Sequence, residues 1–127
     1  MANPSTVNAT ASGKEVIRRK FIDGLAESEA DLIIGDANHI YTVLSIIVCE
    51  RGGLSDAMFE LYLDPDAGGT DMSIADNVLV PSSGTFVWTD RFAVTGTDKL
   101  HIKGKSTAGT AHFNVWCTYI DQQFAAP

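Results

Sequence analysis

The amino-acid sequence predicts an all-β fold, an antiparallel two-sheet β-sandwich or jelly roll of about eight strands with an extended N-terminal arm. Three observations point to it. Apolar and polar residues alternate with period two through most of the chain. Clusters of Gly, Asp, Asn, Ser and Pro cut these runs at close to regular spacing. A helical reading competes over one stretch alone, 12–30, where Ser12 and Glu15 have capping-box spacing, but Gly24 and the β-branched Val16, Ile17 and Ile22 weaken it.

Residues 1–13 (MANPSTVNATASG) are small and polar without a period, the composition of an arm that needs a partner to become ordered. The expected division is an arm over 1–14 and a single sandwich domain over 15–127. A strand over 15–25 puts Arg18 and Lys20 on one side and Ile17, Arg19 and Phe21 on the other. A short strand follows over 30–34, ended by Gly35, Asp36 and Asn38.

The run 39–50 (HIYTVLSIIVCE) is apolar on both faces. Strict alternation groups Ile40, Leu44, Ile46 and Val48 against Tyr41, Val43, Ile47 and Cys49. Such a strand is either central and covered on both sides, or its outer flank meets another subunit. Residues 57–64 place Phe59, Leu61 and Leu63 inward and Met58, Glu60 and Tyr62 outward; 64–77 reads as a long acidic loop. Three further strands are expected over 78–80, 84–90 and 98–104, the last with Leu100 and Ile102 inward and His101 and Lys103 outward. The last strand, 110–121, directs Phe113, Val115, Cys117 and Tyr119 to the core and leaves Trp116 on a polar face, either as an interface anchor or partly shielded by a loop.

At 127 residues the chain can bury roughly two thirds of its unfolded surface. No apolar run approaches the ~20 residues that span a bilayer, and no basic-then-apolar leader opens the chain, so synthesis in a cytoplasm is the expectation. Cys49 and Cys117 each sit in an apolar run and are expected as reduced thiols, with a disulfide between them left open. The net charge of −7 argues against direct nucleic-acid binding, which needs a basic stripe. Residues 1–20 carry Lys14, Arg18, Arg19 and Lys20 against Glu15, a net +3, so the remainder stands at −10. This basic segment suits docking on an acidic neighbour or on another copy of the chain.

Motifs for chemistry are sparse. His39, His101 and His112 share no local spacing with one another or with a cysteine, so no zinc motif forms and satisfied or exposed histidines are expected. The run Asp64, Asp66, Gly68, Gly69, Asp71 resembles calcium loops, but Pro65 interrupts it and no closing glutamate follows. Ser12-Gly13-Lys14 lacks the first glycine and the final hydroxyl of a phosphate loop, and the GxSxG elbow is missing. Asn8-Ala9-Thr10 fits the glycosylation sequon without a secretory signal to make use of it. No enzyme activity, cofactor or metal is expected.

The order IYTVLSIIVCE (40–50), FELYLDPDAGG (59–69), NVLVPSSGTFVWTDRFAVTGTDKLHI (77–102) and FNVWCTYID (113–121) resembles small β-sandwich virion proteins of tailed bacteriophages. The shared pattern includes Val80-Pro81 leading into a strand and a Gly96 to Asp98 turn before another. The resemblance implies a non-enzymatic structural protein of the virion, assembled in the host cytoplasm. Its foremost implied role is capsid decoration or cement, a homotrimer clamping the major capsid protein or other virion proteins. The second is a tail-associated or fibre module whose loop 64–77 and Trp88 or Trp116 contact a host glycan or protein. Nucleic acid and membrane are not implied partners. The interface candidates are Lys14, Arg18, Arg19 and Lys20 on the basic segment and Tyr41, Val43, Ile47 and Trp116 on the strands.

Overall fold

Nine strands make up the two sheets of the computed structural model, which describes residues 14–65, 70–106 and 111–124. They are β1 (Lys14–Leu25), β2 (Ala30–Ile34), β3 (His39–Glu50), β4 (Met58–Asp64), β5 (Met72–Leu79), β6 (Thr85–Trp88), β7 (Phe92–Thr95), β8 (Lys99–Lys105) and β9 (Phe113–Gln123). The arm over 1–13 and the loop centre 66–69, with Asp66 of the calcium-like run, lie outside the described residues. Among the described residues no helix is long and apolar enough to cross a membrane.

The first sheet runs β1-β9-β3-β6, with β7 also on β3; the second runs β2-β8-β4-β5. All pairings are antiparallel. The chain crosses between sheets at most connections, so strands close in space are remote in sequence, as in a jelly roll. The twelve-residue β3 offers its far edge to two short strands in tandem. Val43 to Ile40 face β7, and Ile46 to Cys49 face β6. Nine strands thus fill eight sheet positions.

Between the sheets lie Val43, Ile46, Val48, Phe59, Leu61, Leu100, Ile102, Phe113 and Val115, all buried, with Phe59 edge-on to Phe86 and Phe113. Close-packed burial of this kind is the main stabilising contribution. Gly24 and Gly35 are among the glycines required by their backbone surroundings. Gly24 has φ +80° where β1 bulges against β9. At Gly35 a Cβ would come within 2.4 Å of the Asp98 carbonyl oxygen, which already accepts the Gly35 N–H at 2.8 Å.

A bulge at Leu44 corrects the reading of β3. Val43 pairs with Tyr119 and Ser45 with Thr118, so Leu44 is an extra residue and alternation changes phase across it. The core face is therefore Tyr41, Val43, Ile46 and Val48, while Ile40, Ile47 and Cys49 face outward. Tyr41 and Val43, expected on an outer flank, belong to the interior and are covered by their own chain. The stretch 64–77 also differs from expectation, since Met72–Leu79 is a strand on the edge of the second sheet.

Glu50 closes the end of β3. Its carboxylate is buried and accepts the N–H groups of Gly53 (3.0 Å), Leu54 (3.3 Å) and Ser83 (2.8 Å), joining two turns to one side chain. These donors, Ser83 foremost, hold the carboxyl below the usual range against the opposing effect of burial. Cys117 faces the interior and Cys49 the exterior, so the sheet separates them and both are free thiols. Burial pushes the Cys117 thiol up to about 12.

Candidate interaction surface

Strand register builds a continuous apolar row on the outside of the first sheet. Phe21 pairs with Trp116, Trp116 with Ile47, and Ile47 with Val87, so four adjacent strands each contribute one apolar side chain at the same level. Phe21 is 55% exposed, Val87 53% and Trp116 42%. Ile17 and Ile40 are further exposed apolar side chains on the same face. Contiguous exposed apolar surface is the kind of feature found at interaction sites.

The row is shaped as well as apolar. The Phe21 ring stands edge-on to Trp116 at 4.7 Å between centroids. Beside them an open groove of about 250 Å³ runs past Ile47, Cys49 and Asn114. The guanidinium of Arg19 lies 5.5 Å from the Phe21 ring and 5.8 Å from Trp116, placing a positive charge over the aromatic pair. Aromatic residues and arginine are the types that anchor protein interfaces.

The four basic candidates part company. Arg19 belongs to the apolar row. Arg18 has the opposite parity and reaches Asp121, donating from Nε to Oδ2 at 2.8 Å. Lys20 shares the parity of Arg18 but stays exposed because β1 is an edge strand. Lys14 opens β1, and its side chain lies outside the described residues. Asp121 is 6% exposed and also faces His39 Nδ1 at 2.6 Å. His39 in turn stacks on Tyr41, whose phenol is pushed up to about 12 by burial and then by the Asp121 charge. The half-exposed Arg18 and the buried Asp121 thus tie β1 to β9 within one chain.

Among the sequence candidates, the structure therefore brings together Arg19, Ile47 and Trp116 and sends Arg18, Tyr41 and Val43 elsewhere. Two members of the row, Phe21 and Val87, were not singled out. Phe21 was placed on the same side as Arg19 without that side being assigned outward, whereas the place of Val87 depends on which strand β6 meets.

The outside of the second sheet is different in kind. Asp31 pairs with His101 and His101 with Tyr62, so these side chains stand in line on its outer face. His101 points outward as expected but is only 5% exposed, because Glu29, Asp31 and the Tyr62 ring enclose it. Tyr62 donates its hydroxyl to Glu29 Oε2, and burial with that carboxylate raises its pKa.

No family model matches the chain, and no curated protein does. Solved structures do. The structure of infectious bursal disease virus Gx strain aligns with TM-score 0.52 at 8% identity, over 89% of this chain and 30% of that one. The chain thus spans less than a third of that protein. Bacillus endospore appendages, described as disulfide-linked pili, give 0.46 at 19% identity over 94% and 97%. A pentameric capsid protein from metagenomic phage sequences gives 0.43 at 15% over 84% and 61%. The chain has the two-sheet β fold of the viral structure, and at these identities the likeness is one of fold alone.

Proposed function

We propose that this protein is a non-enzymatic structural component of a virion, a capsid decoration protein that stabilises a shell by covering joints between its subunits. The observation that carries this reading is the exposed apolar row Phe21, Trp116, Ile47 and Val87 across the first sheet. Left in water, such a row forfeits roughly 25 cal/mol per Å² of apolar surface that a partner would bury. The resemblance of the strand pattern to small phage virion proteins supplies the kind of partner: a second copy of this chain, in a homotrimer, and the major capsid protein beneath. A ligand of the assembled shell raises the free energy of opening it in proportion to its binding.

Two measurements test the proposal. Light scattering of the purified chain is expected to give three copies, and particles carrying it are expected to rupture at a higher temperature than bare ones. Deleting residues 1–13, which leaves β1 whole, is expected to lower particle occupancy because the arm adds contact across the joint. A monomer that neither binds particles nor shifts their rupture temperature would dismiss the decoration role.

The exposed Trp116 ring beside its groove favours one further reading, a tail-associated module stacking on a host glycan. Retention of the purified protein on host cells, abolished in Trp116→Ala, is the result that would select it.

A further inference from the structure

We propose that Glu29, Asp31 and His101 form a binding site for a divalent transition-metal ion of the Zn²⁺ class on the outer face of the second sheet. This inference is independent of the virion role. The three side chains come from the approach to β2, from β2 itself and from β8. The β2–β8 register sets Asp31 opposite His101 across seventy residues of sequence, and Glu29 stands two residues before Asp31. One ligand atom from each falls within 4.8 Å of the others.

The imidazole gives the cluster its direction. His101 is 5% exposed, and its Nδ1 is buried with no hydrogen-bond partner. Asp31 Oδ1 is 2.6 Å away and Glu29 Oε1 3.6 Å, yet neither contact has the geometry of a hydrogen bond. A buried ring nitrogen facing two carboxylate oxygens without a well-directed proton between them is an arrangement that a cation completes. It would accept all three donors and offset the two negative charges.

The neighbouring groups hold this geometry. Tyr62 donates its hydroxyl to Glu29 Oε2, leaving Oε1 as the oxygen turned to the ring. Asp64 Oδ2 stands 3.8 Å from Nε2, longer than a hydrogen bond, so it adds a negative charge on the far side of the ring. One imidazole with two carboxylates suits Zn²⁺ and its first-row neighbours, whereas Ca²⁺ and Mg²⁺ take sets made of oxygen. Three protein donors leave a fourth position for water. Because β2 is a five-residue edge strand, an ion here would bind it to β8 and secure an otherwise lightly held edge.

The test is calorimetric titration of the full chain, stripped with chelator, with ZnCl₂, alongside thermal unfolding at rising Zn²⁺. One ion per chain and a rise in Tm are expected. Asp31→Asn and Glu29→Gln, at side chains about half exposed, are each expected to weaken binding by at least about 10-fold. Circular dichroism checks that they remain folded, which makes them better probes than His101→Ala at a buried ring. His112→Ala, at an exposed histidine elsewhere, is expected to bind as the parent does. No saturable binding, equal binding by Asp31→Asn and Glu29→Gln, or loss of binding in His112→Ala would each overturn the site.

Discussion

On the outer face of the first sheet, Phe21, Trp116, Ile47 and Val87 stand in one row with an arginine over the aromatic pair; on the second, Asp31, His101 and Tyr62 stand in the corresponding place. The sheets share a core and a pleat, so the difference comes wholly from residues that the fold does not need. The first sheet lines apolar side chains into one row across four strands, whereas the second carries its exposed Ile34, Met72 and Leu79 on its two edge strands and a polar cluster around His101 between them. The carboxylates divide the same way. Glu50 and Asp121, on the strands of the first sheet, are buried with their partners complete, whereas Glu29 and Asp31 are about half exposed around a buried ring nitrogen that lacks a hydrogen bond.

The largest expected effect separates the two faces directly. Ile47→Lys places a charge in the apolar row and is expected to weaken self-association by about 30-fold or more, the size of an interface hot spot. Leu79→Lys, equally outward on the edge of the second sheet, is expected to leave self-association within about 2-fold. Sedimentation of both variants reads the difference, and equal behaviour would erase the distinction between the faces.

The carboxylates sharpen it next. Glu50→Gln is expected to cost about 2 kcal/mol in urea unfolding, because buried N–H groups lose a charged acceptor. Asp31→Asn without metal is expected to cost about 0.5 kcal/mol, as exposed pairs do. The acid limb carries the same information. The folded pKa of Glu50 lies below its ordinary value of 4.5, so its contribution is full above that pH and is lost as pH falls through the folded value. Glu50→Gln should flatten this limb of stability against pH, and an unchanged slope would assign it to other carboxylates.

The smallest effect is chemical. Cys117, buried with its thiol near 12, is expected to resist alkylation until the protein unfolds. Cys49, beside the groove, is expected to react several-fold faster in Ile47→Lys than in the parent, because the apolar row is then uncovered. Mass spectrometry of the two cysteine peptides checks both.

Much of this architecture was legible in the residues. The second and third strands have the bounds expected of them, because β-branched runs ended by Gly35-Asp36 and Arg51-Gly52-Gly53 leave little choice. Two strands were not. MSIADN, with Asp76 and Asn77, reads as loop ahead of a strand expected over 78–80, yet joins Val78 and Leu79 in β5 because an edge strand can turn polar residues to water while Ala75 faces the core. FAVT falls between the strands expected over 84–90 and 98–104 and becomes β7 because β3 is long enough to pair with it beyond β6.

The candidate sites divide along the same line. That Phe21 and Arg19 share one side, and that Trp116 opposes the core residues of its strand, could be read from the sequence, since parity within a strand is a local property. That they form one row with Val87 follows from pairings between strands far apart in sequence. The bulge at Leu44 moved Tyr41 and Val43 inside by inserting one residue against β9, an event invisible to a period of two. His101 shows the same limit, since its companions Glu29 and Asp31 reach it through the β2–β8 register and no local spacing announces them. Alternation and turn chemistry are short-range, so the sequence by itself determined the fold class, the turns and the faces of individual strands. Register between strands depends on how the whole chain closes around its core, so the tertiary structure alone decided which side chains meet and what each sheet offers to a partner.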